Sequence, residues 1–203
     1  MKARVAGWQR LGLPLGTIAA FVALAVDVRW GGILTAFERR HLTQPPPAPR
    51  LLRWTTRLGE RKVAGPLVLL AAVATRASDR EPLRRPAVRF VVTVGGRALT
   101  ARAVHRSRPP RTWWQETPSG FSFPSRHVTW IGLAAHEAVN SLPEGIRRWA
   151  RVGEVATVGA VGFSRLRLGV HWPTDVIGAL LWGQCSERGT RWVENRIAGK
   201  RRP

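Results

Sequence analysis

The chain has 203 residues, of which 44% are hydrophobic, and a formal charge of +21 from 33 Lys and Arg against 12 Asp and Glu. That length suits one domain. That charge excludes an acidic, self-solvating chain and calls for a polyanionic partner: nucleic acid, an anionic membrane surface or a phosphate-bearing substrate. The lone cysteine, Cys185, excludes an internal disulfide framework and reads as a small apolar filler.

Residues 1–10 carry Lys2, Arg4 and Arg10, and Leu11 to Val26 is free of charge. This is either a signal peptide or a first membrane helix extended to Trp30. The retained helix is the expectation, because more apolar segments follow. Residues 31–62 form a connecting segment. Pro45 to Pro49 excludes helix there, whereas residues 50–58 alternate Arg50, Arg53 and Arg57 with Leu51, Leu52, Trp54 and Leu58. That pattern predicts an amphipathic helix lying on lipid headgroups or on the protein's own core. Val63 to Thr75 is an uncharged run of 13 residues, short for a span unless Arg61, Lys62 and Arg76 snorkel.

A basic connection follows at 76–89. Phe90 to Gly96 is rich in β-branched residues, and propensity alone predicts strand. Residues 105–126 are a loop with Trp113 and Trp114, placed for a membrane interface or for loop packing. Val128 to Leu142 predicts a helix in which His136 and Glu137 need interior partners. Val152 to Phe163 predicts another, interrupted only by Glu154, and Val176 to Cys185 a last one. The basic tail 187–203 suits a membrane surface. Mean hydropathy, −0.13, is low for a chain with six spans.

Three stretches carry chemistry. In the last, Ser164 and Arg165 precede His171, and Asp175 follows it by four residues. Pro173 suits the first turn of a helix, so His171 and Asp175 fall on one face. A carboxylate beside an imidazole fixes its tautomer and supports the cation formed when the other nitrogen reacts. Arg165 adds a planar fork that fits phosphate oxygens. In the second, Pro124, Ser125, Arg126 and His127 run into the apolar helix. Ser125 reads as its N-cap, and free N–H groups there make an anion site. The first stretch, 101–111, is dense in arginine and ends at Pro109 and Pro110.

Together these resemble the signature of the type-2 phosphatidic acid phosphatase superfamily, which includes bacterial lipid phosphatases, glucose-6-phosphatase and the vanadium haloperoxidases. The third element matches in full at Ser164, Arg165, His171 and Asp175. The second matches at Pro124, Ser125 and His127, with Arg126 where the family has glycine. The first matches at Arg108 and Pro109, with Ala101 where lysine is expected and Arg102 one residue late. The resemblance covers roughly residues 58–186. It implies a single all-α, membrane-embedded domain over 1–203 with about six transmembrane helices. The helix following 90 would then continue towards Val104.

The resemblance also implies a metal-independent hydrolase for a lipid phosphate or pyrophosphate, with no cofactor and no nucleic acid partner. His171 would be the nucleophile, Asp175 its orienting group and His127 the proton donor. Arg108, Ser125, Arg126 and Arg165 would bind the phosphoryl oxygens. Location would be the cell membrane, multi-pass, with the site facing the extracytoplasmic side. The basic residues divide almost evenly between the two faces, so orientation comes from the resemblance and not from charge. Two other classes fit parts of the sequence. One is a catalytically inactive membrane relative acting as a scaffold. The other is an arginine-rich nucleic-acid-binding protein whose tryptophans stack on bases.

Overall fold

A computed structural model of the chain describes residues 2–77 and 84–199. Residues 78–83 of the basic connection and 200–203 of the basic tail lie outside the described residues. The regular structure of the described residues is all helical: α1 Lys2–Trp30, α2 Ile33–His41, α3 Arg50–Arg57, α4 Arg61–Ala77, α5 Arg84–Phe90, α6 Gly96–Val104, α7 Arg126–Ser141, α8 Glu144–Arg167 and α9 Pro173–Gly199. A π turn, Val91–Gly95, joins α5 to α6 without a break.

Six of the rods, α1, α4, α5–α6, α7, α8 and α9, are those expected from the apolar segments. The connecting segment holds two more helices: α3, expected from the amphipathic pattern at 50–58, and α2, which was not expected. The sequence hid α2, since its residues include Glu38, Arg39, Arg40 and His41 and its apolar side chains face out: Ile33, Leu34 and Phe37 are all exposed. What holds it is Asp27 of α1. Its carboxylate accepts from the backbone N–H groups of Leu34 at 3.1 Å and Thr35 at 3.0 Å, capping α2 from the helix before it. Gly31, at φ 70°, makes the turn between them.

The strand favoured by the β-branched run at 90–96 does not form. Tertiary contacts override the propensity. Trp182 of α9 donates its indole N–H to the Thr93 carbonyl at 2.8 Å, and the Thr93 hydroxyl donates to Ser186 at 2.9 Å. Gly96 lets that indole close in, since a Cβ there would sit 2.3 Å from a Trp182 ring carbon.

Helix α7 is the centre of the bundle and packs on α4, α8 and α9, while α1 packs on α9 and α3 on α8. Its apolar positions recur at helical spacing, so Val128, Ile131 and Ala135 meet α8 and α9, and Trp130, Leu133 and Ala134 meet α4. Helix α1 contributes Phe21, Leu24 and Val28 to a core shared with Phe123 and Trp182. Helix α3 lies on the protein's own core through Leu52 and Thr56, and leaves Leu51 and Trp54 exposed. Trp113 and Trp114 serve loop packing: the first meets Trp172 edge-on, and the second donates to the Pro109 carbonyl at 2.9 Å.

The ionisable residues inside α7 find partners. Glu137, fully buried, takes two hydrogen bonds from Arg89 at 2.6 and 3.0 Å. His136 lies among Arg151, Glu154 and Glu187. Among the described residues no single helix is long and apolar enough to cross a membrane; one bent pair, Leu15–Trp30 with Ile33–His41 at 58°, passes that test together.

Candidate active site

His171 lies in the turn between α8 and α9. Gly169, at φ 68°, makes the turn; a Cβ on it would collide with the Trp113 carbonyl. Leu168 and Val170 are fully buried on either side and pin the segment. Pro173 then opens α9 and puts Asp175 in the first turn. The spacing therefore does what it promised: His171 Nδ1 lies 3.1 Å from Asp175 Oδ2, with both side chains buried.

On the other side of the ring, Arg108 Nη1 is 3.1 Å from His171 Nε2. A guanidinium only donates. Nε2 is therefore the acceptor, and Nδ1 carries the proton and donates it to Asp175. This assignment follows from the hydrogen-bond partners. It is the tautomer that presents a lone pair on Nε2. Burial pushes the ring's pKa down to about 4, Asp175 pulling it up and Arg165 and Arg108 pressing it further down. Burial tends to raise the Asp175 carboxyl, but the His171 hydrogen bond and the Arg106 charge outweigh it and hold the group below the ordinary carboxylate range.

Asp175 is itself fixed by groups the motif does not contain. Oδ2 also accepts from the Trp172 N–H at 2.8 Å and from the Ser122 hydroxyl, and Oδ1 accepts from Arg106 Nη1 at 2.7 Å. The second Arg106 nitrogen reaches Glu38 of α2 at 2.5 Å. Glu38 in turn accepts from the Thr174 N–H at 2.7 Å and the Thr174 hydroxyl at 2.8 Å. A carboxylate from α2 thus caps the N-terminus of α9. Glu38 is 4% exposed and Arg106 4% exposed, so the pair has no water to fall back on.

Beside His171 opens a cavity of about 310 Å³. Arg108, Glu116 and Ser119 of the loop line it, with Arg126 and His127 of α7, Arg165 of α8, and Glu60, Arg61 and Lys62 at the start of α4. His127 is pushed far below the ordinary imidazole range by burial first, then by the charges of Arg165, His171, Arg126 and Arg108. The two histidines and three guanidiniums therefore share one electrostatic neighbourhood. Gly59 makes room for it: a Cβ there would lie 2.7 Å from His127 Cβ, so the α3–α4 turn rests directly on the start of α7. A larger cavity of about 380 Å³ runs along α7, α8 and α9 past His136 and is walled mainly by apolar groups; it holds none of the motif side chains.

The expected phosphate ligands arrive in different states. Ser125 is the N-cap residue of α7 but makes no side-chain capping bond, so that part of the sequence reading is corrected. Its hydroxyl is buried and without a hydrogen-bond partner among the described residues. Arg165 is 1% exposed and donates Nη1 to Glu116 and, at 2.8 Å, to Thr56, leaving Nε unpartnered. Arg108 holds the carbonyls of Val170 at 2.7 Å, Ser119 at 2.9 Å and Gly120 at 3.0 Å. It is therefore a clamp on the loop as well as a charge. Arg126 reaches Ser119 Oγ at 3.2 Å. Ala101 is buried and Arg102 exposed, so neither brings a cation to the cup. One turn earlier, Arg97 donates to the Pro124 carbonyl at 2.9 and 2.8 Å and so fixes the turn before Ser125.

A helical bundle with a tautomer-locked histidine beside a guanidinium-lined cup has the charge and hydrogen-bond donors that suit an anion. The chain belongs to the PAP2 superfamily, whose family model matches residues 88–197. It is 35% identical over 94 residues to phosphatidylglycerophosphatase B of Escherichia coli (strain K12), covering 46% of this chain and 36% of that protein. The figures are the same for phosphatidylglycerophosphatase B of Shigella flexneri. The chain thus spans about a third of the length of these curated relatives. Its fold is shared with the crystal structure of a transmembrane PAP2-type phosphatidylglycerolphosphate phosphatase from Bacillus subtilis: TM-score 0.69, 21% identity, 91% of this chain and 96% of that one.

Two expected outcomes follow. Ring-labelled His171, observed by NMR in the detergent-solubilised chain, stays neutral from pH 8 down to about pH 4. The sign is that of a depressed base: an unfolded histidine takes its proton near pH 6.5, and the folded one only well below that. Glu38→Gln removes the charge that balances Arg106 and lowers kcat about tenfold, equivalent to ~1.4 kcal/mol, with little change in KM; steady-state kinetics on one substrate checks both.

Proposed function

We propose that this protein is a membrane-embedded phosphatase that hydrolyses a lipid phosphate or diphosphate by two-step phosphoryl transfer through His171. The observation that carries the reading is the tautomer: Nδ1 donates its proton to a hydrogen bond with Asp175, and Nε2 meets Arg108, a wall of the cationic cup of about 310 Å³.

When substrate arrives, Arg108 Nη1 exchanges its contact with Nε2 for a phosphoryl oxygen and frees the lone pair. Nε2 attacks phosphorus in line, and the imidazolium formed is stabilised by the buried Asp175. Arg108 and Arg165 stabilise the equatorial oxygens. The orphaned Ser125 hydroxyl and the first N–H groups of α7 complete the cradle. Glu116 releases Arg165 to the incoming phosphoryl group, whose charge replaces its own. His127 is neutral in the free site. A bound phosphoryl anion opposes the guanidinium fields around it and raises its proton affinity, so His127 serves proton transfer at the leaving oxygen and then at the attacking water.

The membrane setting rests on three supports: the shared fold with a solved protein described as transmembrane, the α1–α2 pair, and the outer faces of the bundle. There Leu69, Leu70, Val91, Leu99, Val155 and Phe163 are exposed, which suits lipid contact. In this reading the chain is multi-pass and the cup opens on the extracytoplasmic side.

The purified chain in detergent, without added metal, should release phosphate from a panel of lipid phosphates. His171→Ala abolishes turnover while circular dichroism and thermal midpoint stay near wild type. Asp175→Asn loses the tautomer and slows kcat by about a thousandfold or more. Full activity in His171→Ala contradicts the nucleophile.

A further inference from the structure

Away from the cup, α7 is flanked by α8 and α9 along the second cavity, of about 380 Å³. Near the cup the two outer helices come close: a Cβ on Gly162 of α8 would lie 2.8 Å from Val176 of α9. Further along, each of the three helices turns a glycine to the gap. These are Gly132 of α7, Gly159 of α8 and Gly183 of α9, and a Cβ on any of them would meet nothing within 4 Å. The space is therefore made by missing side chains. A void among apolar helices forfeits the contacts that would have filled it, and a glycine inside a helix weakens the helix. Both penalties converge on one groove. Val155 and Leu180 line it and are exposed, so it reaches the surface between α8 and α9.

The groove follows α7 from Val128 to His136, a length of about 12 Å at the helical rise. Its walls are apolar along Val128, Leu133, Val158 and Ala179, and its far end is polar, where His136 meets Glu154 and Glu187. His136 is 8% exposed. Arg151 Nη1 lies 3.0 Å from its Nδ1. A guanidinium only donates, so Nδ1 accepts and Nε2 carries the hydrogen. Nε2 is buried and makes no hydrogen bond, and a Glu187 carboxylate oxygen stands 3.5 Å from it. A buried donor without an acceptor is destabilising, and a ligand that brings an acceptor removes that penalty.

Charge narrows the choice of ligand. Arg89 is paired with Glu137, Arg151 with Glu154 and Arg191 with Glu187. A phosphate or carboxylate head would face Glu154 and Glu187 with their arginines already committed. An ammonium head would meet carboxylates already neutralised. A hydroxyl suits both neighbours, because it accepts from the Nε2–H and donates to the Glu187 carboxylate.

We propose that the groove between α8 and α9 binds a single-chain lipid alcohol, with the hydrocarbon along the three glycines and the hydroxyl at His136 and Glu187. The site is separate from the cup, and its chemistry does not rest on the phosphatase reading.

The test is photolabelling of the full chain in detergent with decanol carrying a diazirine on its chain, followed by peptide mass mapping. Unlabelled decanol, decane and decanoate compete. The label should fall on the peptides that contain Gly132, Gly159 or Gly183, and decanol should displace it about tenfold better than decane or decanoate, the worth of one hydrogen bond. Gly159→Leu fills the groove and should cut labelling about tenfold or more, with the thermal midpoint held or raised, since leucine is the better helix former. His136→Phe keeps a ring and removes the N–H, so decanol should lose its advantage over decane. Labelling that Gly159→Leu leaves unchanged overturns the groove. Decane or decanoate displacing the label as well as decanol overturns the hydroxyl. An undiminished decanol advantage in His136→Phe overturns the part given to His136.

Discussion

Asp175 is the point on which the site hangs. Its fully buried carboxylate takes hydrogen bonds from the His171 ring, the Ser122 hydroxyl, the Trp172 N–H and Arg106. A charge so enclosed is tolerable only because both oxygens are hydrogen-bonded and a guanidinium balances the charge. The donors come from the 105–126 loop and the α8–α9 turn, and Arg106 extends the set to Glu38 on α2. Removing one member leaves a charge stranded in a place without water. That makes the network costly to break and geometrically strict, which is what an in-line nucleophile needs.

The cup is the opposite kind of environment. Its guanidiniums face one another with only Glu60 and Glu116 between them. Burial and then the Arg165 charge push the Arg108 guanidinium down to about 10, which still leaves it charged at neutral pH. The fold supports this arrangement with contacts on the cup's walls and behind them. Arg97 ties down the Pro124 carbonyl, Gly59 lets the α3–α4 turn press on His127, and Thr56 shares Arg165 with Glu116. An anion entering the cup would relieve repulsion already present, so in the proposed phosphatase recognition and transition-state stabilisation draw on the same field.

How far the sequence reached follows from the range of each interaction. His171 and Asp175 are four residues apart on a helix start, so their pairing is local and legible from spacing. The helical segments with apolar stripes were legible for the same reason. Glu38 and Thr174 are 136 residues apart; α2 is polar along its sequence, and nothing in its pattern announces a catalytic support. One faint signal existed: acids are scarce in this chain, so a lone Glu inside a basic stretch asks for a partner. Phe90 to Gly96 was misread by propensity because Trp182 and Ser186, far along the chain, decide its conformation. The lysine absent at Ala101 was visible, but that Arg97 would serve the neighbouring turn from one helical turn away required the packing of α6 against Pro124.

The most direct measurement is rapid-quench capture of the enzyme during turnover with a labelled lipid phosphate or diphosphate, followed by peptide mass mapping. The account predicts an acid-labile, base-stable phosphoryl adduct on His171, formed and consumed at rates compatible with kcat. An adduct on another residue, or turnover with no covalent phosphoenzyme at all, would contradict it.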